Sequence, residues 1–211
     1  MRHLHTALVI MGMTMAAPAW AGDLTVTLRT PSKQPVVDAV VMVSPMTGAF
    51  GGATQVAGPY RMAQKNMAFA PFVLIVPVGA EVYFPNLDPV RHHVYSFSAA
   101  KPFELKLYGK DQTRTVRFDK SGVIAVGCNI HDDMSGFIRV VDTPFAGKTG
   151  ANGEVTITGV PAGSVRVTIW HPYSKAAKGE VVRTASIPAS GAVRLTGDLD
   201  LRAAPMKHGA Y

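Results

Sequence analysis

Alternation of apolar and polar residues dominates this chain and predicts β-strands along most of its length. The segment from Leu24 to Arg29 alternates strictly, and the apolar segment from Val36 to Pro45 follows it after a turn containing Pro and Lys. A period of two places every second side chain on one face, as a half-buried strand requires. These two segments are predicted to form an N-terminal hairpin.

A Gly-rich stretch ends this hairpin, and a denser β-pattern runs from about residue 61 to residue 141. Its apolar segments are short and are separated by Pro, Gly and Asp residues, which are typical of turns. Along the chain they read FVLIVPVG, EVYFPN, HHVYSFS, FELKLYG, RTVRFD, GVIAVGC and GFIRVV. Short strands at this regular spacing predict a Greek-key β-sandwich or barrel.

The C-terminal third continues the pattern, with strands predicted near residues 155–158, 165–169, 181–187 and 193–201. These strands alone would form a thin sheet with one uncovered face, and an isolated hairpin is only marginally stable. Joining the N-terminal hairpin to them solves both problems. The chain is therefore predicted to be all-β, with a discontinuous sandwich (residues 22–48 and 142–205), an inserted middle domain (60–141) and a tail (206–211).

The N-terminus has the pattern of a secretory signal peptide. MRHLHTALVIMGMTMAAPAWA has a short basic start at Arg2, continues with an apolar run from Ala7 to Ala17 and ends in the small-x-small motif from Ala19 to Ala21. The run is too short to span a bilayer, and no later segment is apolar for long enough. We expect residues 1–21 to be removed by cleavage after Ala21, and the mature protein to be periplasmic without a membrane span.

The charge balance is basic, with 21 Lys and Arg against 14 Asp and Glu. A positive surface favours acidic partners. Because these charges are scattered and lack interleaved aromatic residues, nucleic acid is not an expected partner.

Export makes the single cysteine, Cys128, informative. In an oxidising compartment thiols are paired, oxidised or bound to a ligand, and one cysteine cannot form an internal disulfide. An inert buried thiol and an intermolecular disulfide remain alternatives. In the segment GCNIHDDMSG, however, His131 and Met134 follow this cysteine at short intervals.

A second group of candidate ligands lies upstream, where His92 and His93 begin a predicted strand. Sulfur donors favour Cu(I) and imidazole suits Cu(II), and two His and one Cys with a weak axial Met form the blue-copper arrangement. Zinc could use two His and one Cys, but Met is a poor zinc ligand. The donor types therefore favour copper, held between two loops at one end of the middle domain.

Three segments of the middle domain carry a family resemblance. FPNLDPVRHHVYSFS, FELKLY and GCNIHDDMSGFIRVVDTPF together resemble the plastocyanin-like cupredoxins known as methylamine utilisation proteins. KTGANGEVTITGVPAGSVRVTIWHP and LTVTLRTPSKQPVVDAVVMVSP are similar to carboxypeptidase-regulatory-like modules of the transthyretin type. The resemblance implies a cupredoxin Greek-key domain inserted into, or followed by, a small prealbumin-like β-sandwich.

The cupredoxin resemblance also implies the ligands: His92, rather than His93, with Cys128 and His131, and Met134 as the axial ligand. Only two residues separate His131 from Met134, whereas plastocyanins have four. That spacing resembles the copper segment of oxidase subunit II. Those binuclear centres need a second cysteine, which this chain lacks, so a single copper is implied.

Polar residues near these ligands are candidates for orienting them. Asn86, Asp88 and Asn129 could hydrogen-bond to the ligand loops, although ordinary turn chemistry explains them equally well. Asp132 and Asp133 are expected to be solvated, although either could replace Met134 as an oxygen ligand.

The sequence lacks the GxSxG and HExxH motifs and a phosphate-binding Gly-rich loop, so we do not expect an enzyme. The expected function is one-electron transfer with an acidic redox partner, such as a cytochrome or a dehydrogenase. Two alternatives stay open: a copper carrier or storage protein, and a non-catalytic binding module that uses the cupredoxin domain as a scaffold.

Overall fold

The computed structural model describes residues 21–52 and 54–204. The predicted signal peptide, except Ala21, and the tail at 206–211 lie outside these described residues. Within them the chain is all-β, as the sequence predicts, apart from one short 3-10 turn at Ala177–Gly179. No helix in the described part is long and apolar enough to cross a bilayer.

Within residues 21–52 and 54–204, eleven strands precede residue 142 and five follow it. The first group is β1 Ala21–Arg29, β2 Val40–Pro45, β3 Ala63–Lys65, β4 Ala68–Ala70, β5 Val73–Pro77, β6 Ala80–Pro85, β7 His92–Ser96, β8 Phe103–Tyr108, β9 Thr113–Phe118, β10 Gly122–Gly127 and β11 Ser135–Val141. The second group is β12 Phe145–Lys148, β13 Glu154–Pro161, β14 Gly163–Trp170, β15 Glu180–Ile187 and β16 Ala192–Asp198.

The middle strands form one sandwich with its own core. A five-stranded sheet in the order β5-β11-β10-β7-β8 packs against the pairs β6–β9 and β3–β4. Alternation explains these strands, since in β6 Glu81 and Tyr83 are exposed, whereas Ala80, Val82 and Phe84 on either side of them are buried. Their side chains meet Phe118 of β9 and Ile124 and Ile138 of the opposite sheet in the same apolar cluster.

The first two strands join the last five in a second sandwich. One sheet has the order β13-β1-β16, and the other has the order β12-β2-β14-β15. β1 lies antiparallel to β13 and parallel to β16, and β2 lies antiparallel to both of its neighbours. Leu24 and Val26 of β1 and Val41 and Val43 of β2 are buried in the shared core.

The predicted hairpin between the first two strands is corrected by this topology. In the described structure, the connection after β1 bridges back to it at Arg29 and Pro35 and then crosses to the opposite sheet, so β1 and β2 are not neighbours in one sheet. The physical reason is burial. Both strands carry an apolar face, and placing them in opposite layers lets the two faces cover each other.

The division into domains at 22–48, 60–141 and 142–205 stays a prediction, which deletion of residues 22–45 would test. We expect the C-terminal strands to unfold, because the deletion removes an interior strand from each sheet of the second sandwich. The middle sandwich should stay folded, since its core uses residues from Met62 to Val140. Amide hydrogen exchange measures both regions separately.

The matched control for this deletion is removal of residues 47–49, which are exposed and lie outside the described strands. It should leave protection in both sandwiches unchanged. Loss of protection in β5–β11 after the longer deletion would show that the N-terminal strands are needed by the middle sandwich.

Candidate metal centre

Three of the predicted ligands lie at one end of the five-stranded sheet. His92 begins β7, Cys128 directly follows β10, and His131 lies in the loop from β10 to β11. β7 and β10 are neighbouring strands that pair at Gly127 and Tyr95. The first histidine and the cysteine therefore lie side by side, although 36 positions separate them in sequence.

The donor atoms of these residues converge. Cys128 Sγ lies 3.8 Å from His92 Nδ1 and 3.6 Å from His131 Nδ1. All three donor atoms lie within 4.8 Å of one another. A metal about 2.3 Å from sulfur and about 2.0–2.1 Å from nitrogen, at bond angles of about 110–120°, would separate the sulfur and nitrogen by about 3.5–3.8 Å. The spacing therefore fits one shared metal ion.

Burial differs among the three side chains. His92 and Cys128 are 0% and 4% exposed, whereas His131 is partly exposed. The two imidazole rings are tilted by 57°, with centroids 4.9 Å apart. The candidate site is thus closed by protein on the side of His92 and reaches solvent at His131.

Met134 is buried at the end of the ligand loop. Its carbonyl accepts a hydrogen bond from the Cys128 N–H at 3.2 Å, and its own N–H donates to the His131 carbonyl at 3.0 Å. These bonds hold Cys128, His131 and Met134 in one compact turn. That the thioether is a fourth ligand stays a prediction.

The two adjacent histidines have different environments. His92 faces Cys128, whereas His93 Nε2 lies 2.8 Å from a carboxylate oxygen of Glu104 on β8. His93 is buried too, and its Nδ1 has no hydrogen-bond partner in the described structure. The structure thus brings His92, and not His93, to the cysteine.

Asp88 contacts the back of the first histidine. Its Oδ2 lies 2.8 Å from His92 Nε2, and the carboxylate also accepts hydrogen bonds from the backbone N–H groups of Asn66 and Met67. Burial alone would raise the pKa of Asp88. The N–H groups and the imidazole outweigh burial, so the pKa of Asp88 lies below its ordinary value.

Asn86 organises the same loop and is fully buried. Its amide donates to the carbonyls of Val90 and Tyr108, and its oxygen accepts from the Asp88 N–H at 2.9 Å. Every polar atom of this side chain is paired, so Asn86 fixes the loop that carries Asp88 toward His92.

The other predicted polar residues lie farther out. Asn129 and Asp132 are exposed, and Asp133 is partly exposed. Among the described residues, the cluster of close donor atoms contains neither aspartate. An oxygen ligand from Asp132 or Asp133 is therefore not part of the candidate centre.

Sequence reasoning missed several residues that shape this site. Tyr95 packs so closely over Gly127 that a Cβ there would lie 3.0 Å from the phenol ring. Phe69 of β4 packs in the same way over Gly136, where the clearance for a Cβ is 2.9 Å. The two glycines are a sequence signal of close packing, but the sequence does not show which aromatic side chains lie against them.

The residues present fit a metal with both sulfur and nitrogen affinity. A thiol and two imidazoles supply one soft donor and two intermediate donors, as copper prefers. The three atoms are anchored next to strands of a packed sandwich, so they can hold a metal ion with little movement.

Comparison with known proteins gives structural likeness only. No protein-family model matches the sequence, and no curated protein does. A purple cupredoxin from Nitrosopumilus maritimus is 22% identical, and the match covers 39% of this chain and 100% of that one with a TM-score of 0.37. An oxidised amicyanin variant is 19% identical, and the match covers 48% and 98% with a TM-score of 0.37.

A copper-containing nitrite reductase from Thermus scotoductus SA-01 is 25% identical over 56% of this chain and 28% of its own, with a TM-score of 0.39. This likeness corrects the expectation that the chain is not an enzyme. Because a cupredoxin-fold enzyme is among the similar structures, the lack of familiar catalytic motifs does not exclude turnover, and that prediction is wrong.

The methylamine-utilisation and transthyretin-type parts of the sequence resemblance stay predictions. The cupredoxin part of the sequence resemblance agrees with the comparisons, since the similar structures are cupredoxins.

Proposed function

We propose that this chain binds one copper ion through His92, Cys128 and His131, with Met134 as the axial ligand, and carries single electrons in the periplasm. The observation that supports the proposal is the convergence of two imidazole Nδ1 atoms on the single thiol, at 3.8 and 3.6 Å.

The donor set favours copper over zinc. Structural zinc sites are closed by four Cys or His ligands, and only three such residues form the cluster in the described chain. Bound copper would supply a one-electron couple between Cu(II) and Cu(I). Cys128 would provide a thiolate donor, and the two imidazoles would provide nitrogen donors. This combination of sulfur and nitrogen suits both oxidation states.

Burial and anchoring favour electron transfer over metal delivery. A carrier of electrons needs ligands whose positions change little between oxidation states, and a packed sandwich supplies such rigidity. His92 and Cys128 are enclosed, and Met134 is tied by backbone hydrogen bonds to the same turn. Only His131 reaches the surface, so its imidazole is the natural route for electrons between the site and a partner.

The partner is inferred from charge. Lys and Arg exceed Asp and Glu by 21 to 14 in the whole chain. A protein of this charge associates faster with an acidic surface, and salt weakens that attraction. An exported acidic cytochrome or dehydrogenase fits these properties, because the N-terminal signal pattern would bring this chain to the periplasm, where it would meet exported proteins.

Voltammetry of the copper-loaded protein tests the proposal. We expect a reversible one-electron wave, and we expect Cu(I) to stay bound against a moderate chelator for minutes, because buried ligands on strands release metal slowly. Electron exchange with an acidic partner should slow as salt rises. Rapid loss of copper to the chelator on reduction, without a reversible wave, would instead indicate a copper carrier.

A further inference from the structure

The carboxylate of Asp88 is shared by three donors from two separate segments. Its Oδ1 accepts the Asn66 N–H at 2.6 Å, and its Oδ2 accepts the Met67 N–H at 2.9 Å and faces His92 Nε2 at 2.8 Å. Both Asp88 and His92 are buried, with side chains 6% and 0% exposed. Charge-assisted hydrogen bonds in such a place are strong and directional.

This contact determines which nitrogen of His92 carries the proton. An ionised carboxylate can only accept hydrogen bonds, and both oxygens of Asp88 accept backbone N–H groups. The imidazole Nε2 that faces it must therefore carry a proton and donate. A neutral imidazole then has a lone pair only on Nδ1. His92 Nδ1 is the atom that lies 3.8 Å from Cys128 Sγ, so the ring is oriented for metal binding before any metal arrives.

The other two donors belong to the turn between β3 and β4. Asn66 and Met67 both adopt the left-handed conformation, with φ values of 56° and 52°. Two successive non-glycine residues in this region are strained, and such strain persists only where the surroundings hold it. The Asp88 carboxylate supplies that restraint by accepting both N–H groups.

The same hairpin also touches the second ligand segment. Phe69 of β4 is buried against Gly136, which lies two residues after Met134 in β11. The β3–β4 hairpin therefore contacts the His92 side of the site through Asp88 and the Met134 side through Phe69. It is placed to hold the two ligand-bearing segments at a fixed separation.

We propose that Asp88 is a positioning residue of the metal centre, which locks His92 to the β3–β4 hairpin and adds a negative charge behind the imidazole. The inference rests on the proposed copper function. Because a carboxylate behind a ligand imidazole stabilises the more positive metal, it favours Cu(II) over Cu(I) and lowers the reduction potential.

The test is Asp88→Asn, which keeps the shape and removes the charge. Loss of an outer partner of this kind weakens metal affinity by about 10- to 100-fold. If the affinity falls for Cu(II) and not for Cu(I), the reduction potential should rise by about 59 to 118 mV, because a tenfold change corresponds to about 59 mV for one electron. Voltammetry and Cu(II) titration of the full-length mature protein measure both quantities.

Glu104→Gln is the matched control. Glu104 lies at the same 2.8 Å from the Nε2 of the neighbouring His93, although its side chain is 61% exposed, and among the described residues His93 is not part of the donor cluster around Cys128. It should leave the potential and Cu(II) affinity unchanged. Equal shifts in the two variants, or no shift in Asp88→Asn, would overturn the inference.

A measurement on the metal-free protein separates this inference from the copper function. Imidazole ¹⁵N chemical shifts should show that wild-type His92 is protonated on Nε2. A proton on Nδ1 would overturn the inference even if copper binds, and failure to bind copper would overturn the proposed function alone. If the Asp88→Asn variant does not fold, the same substitution can be combined with Met67→Gly. Glycine adopts this turn conformation without strain and so relieves the turn of its need for the carboxylate.

Discussion

Cys128→Ser is expected to abolish the intense visible absorption of the copper-loaded protein completely. That absorption arises from charge transfer between a thiolate and Cu(II), and Cys128 is the only cysteine in the chain, so no other thiol can substitute. A hydroxyl group is a much poorer ligand for either oxidation state. Titration with one equivalent of Cu(II), followed by absorption spectroscopy, measures the effect.

The control for this variant is its metal-free fold. Serine is close in size to the buried thiol, so the thermal unfolding of the two metal-free proteins should be similar. A serine variant that keeps the band, or a wild-type protein that shows only weak ligand-field absorption, would contradict thiolate ligation to copper.

Substitution of the two adjacent histidines should have opposite outcomes. His92→Ala is expected to lose the copper spectrum, because it removes the nitrogen that faces Cys128. His93→Ala should shift the spectrum only modestly, since His93 contacts Glu104. Both side chains are buried, so each deletion leaves a comparable cavity, and the pair controls for packing loss.

Absorption spectra and Cu(II) affinities of both variants provide the readout. A normal spectrum for His92→Ala together with loss of copper in His93→Ala would reverse the ligand assignment. Equal loss in both would point to collapse of β7 rather than to ligation, and circular dichroism of the metal-free proteins would detect it.

Local pattern sufficed to predict much of this structure. Strict alternation identified β1, because a period of two is imposed by the backbone itself, and short apolar segments between turn residues identified strands such as β6 and β10. The candidate ligands could be found because Cys128, His131 and Met134 are close in sequence and chemically selective. To include His92 in this group, it was enough to assume that a second loop reaches the same end of the sheet.

Contacts between distant segments could not be predicted in this way. The pairing of Asp88 with the turn at Asn66 depends on how β3 and β4 lie beside the strand before Asp88, and no local pattern encodes that register. The partner of His93 is equally remote, since Glu104 lies on the next strand. The same limit explains the wrong hairpin, because β1 and β2 follow each other after a turn, as paired strands do, but lie in opposite sheets across a shared core.

The position of β1 between β13 and β16 has a consequence for the order of folding. Thr25 of β1 meets Thr156 of β13, 131 positions later, so β1 has no sheet partner until the chain has been made beyond Glu154. Contacts of such long range form slowly, whereas the middle sandwich can close with partners nearer in sequence. The middle sandwich should therefore fold first, and its collapse would bring the two ends of the chain together. The inserted segment would then act as the folding nucleus for the sandwich that surrounds it.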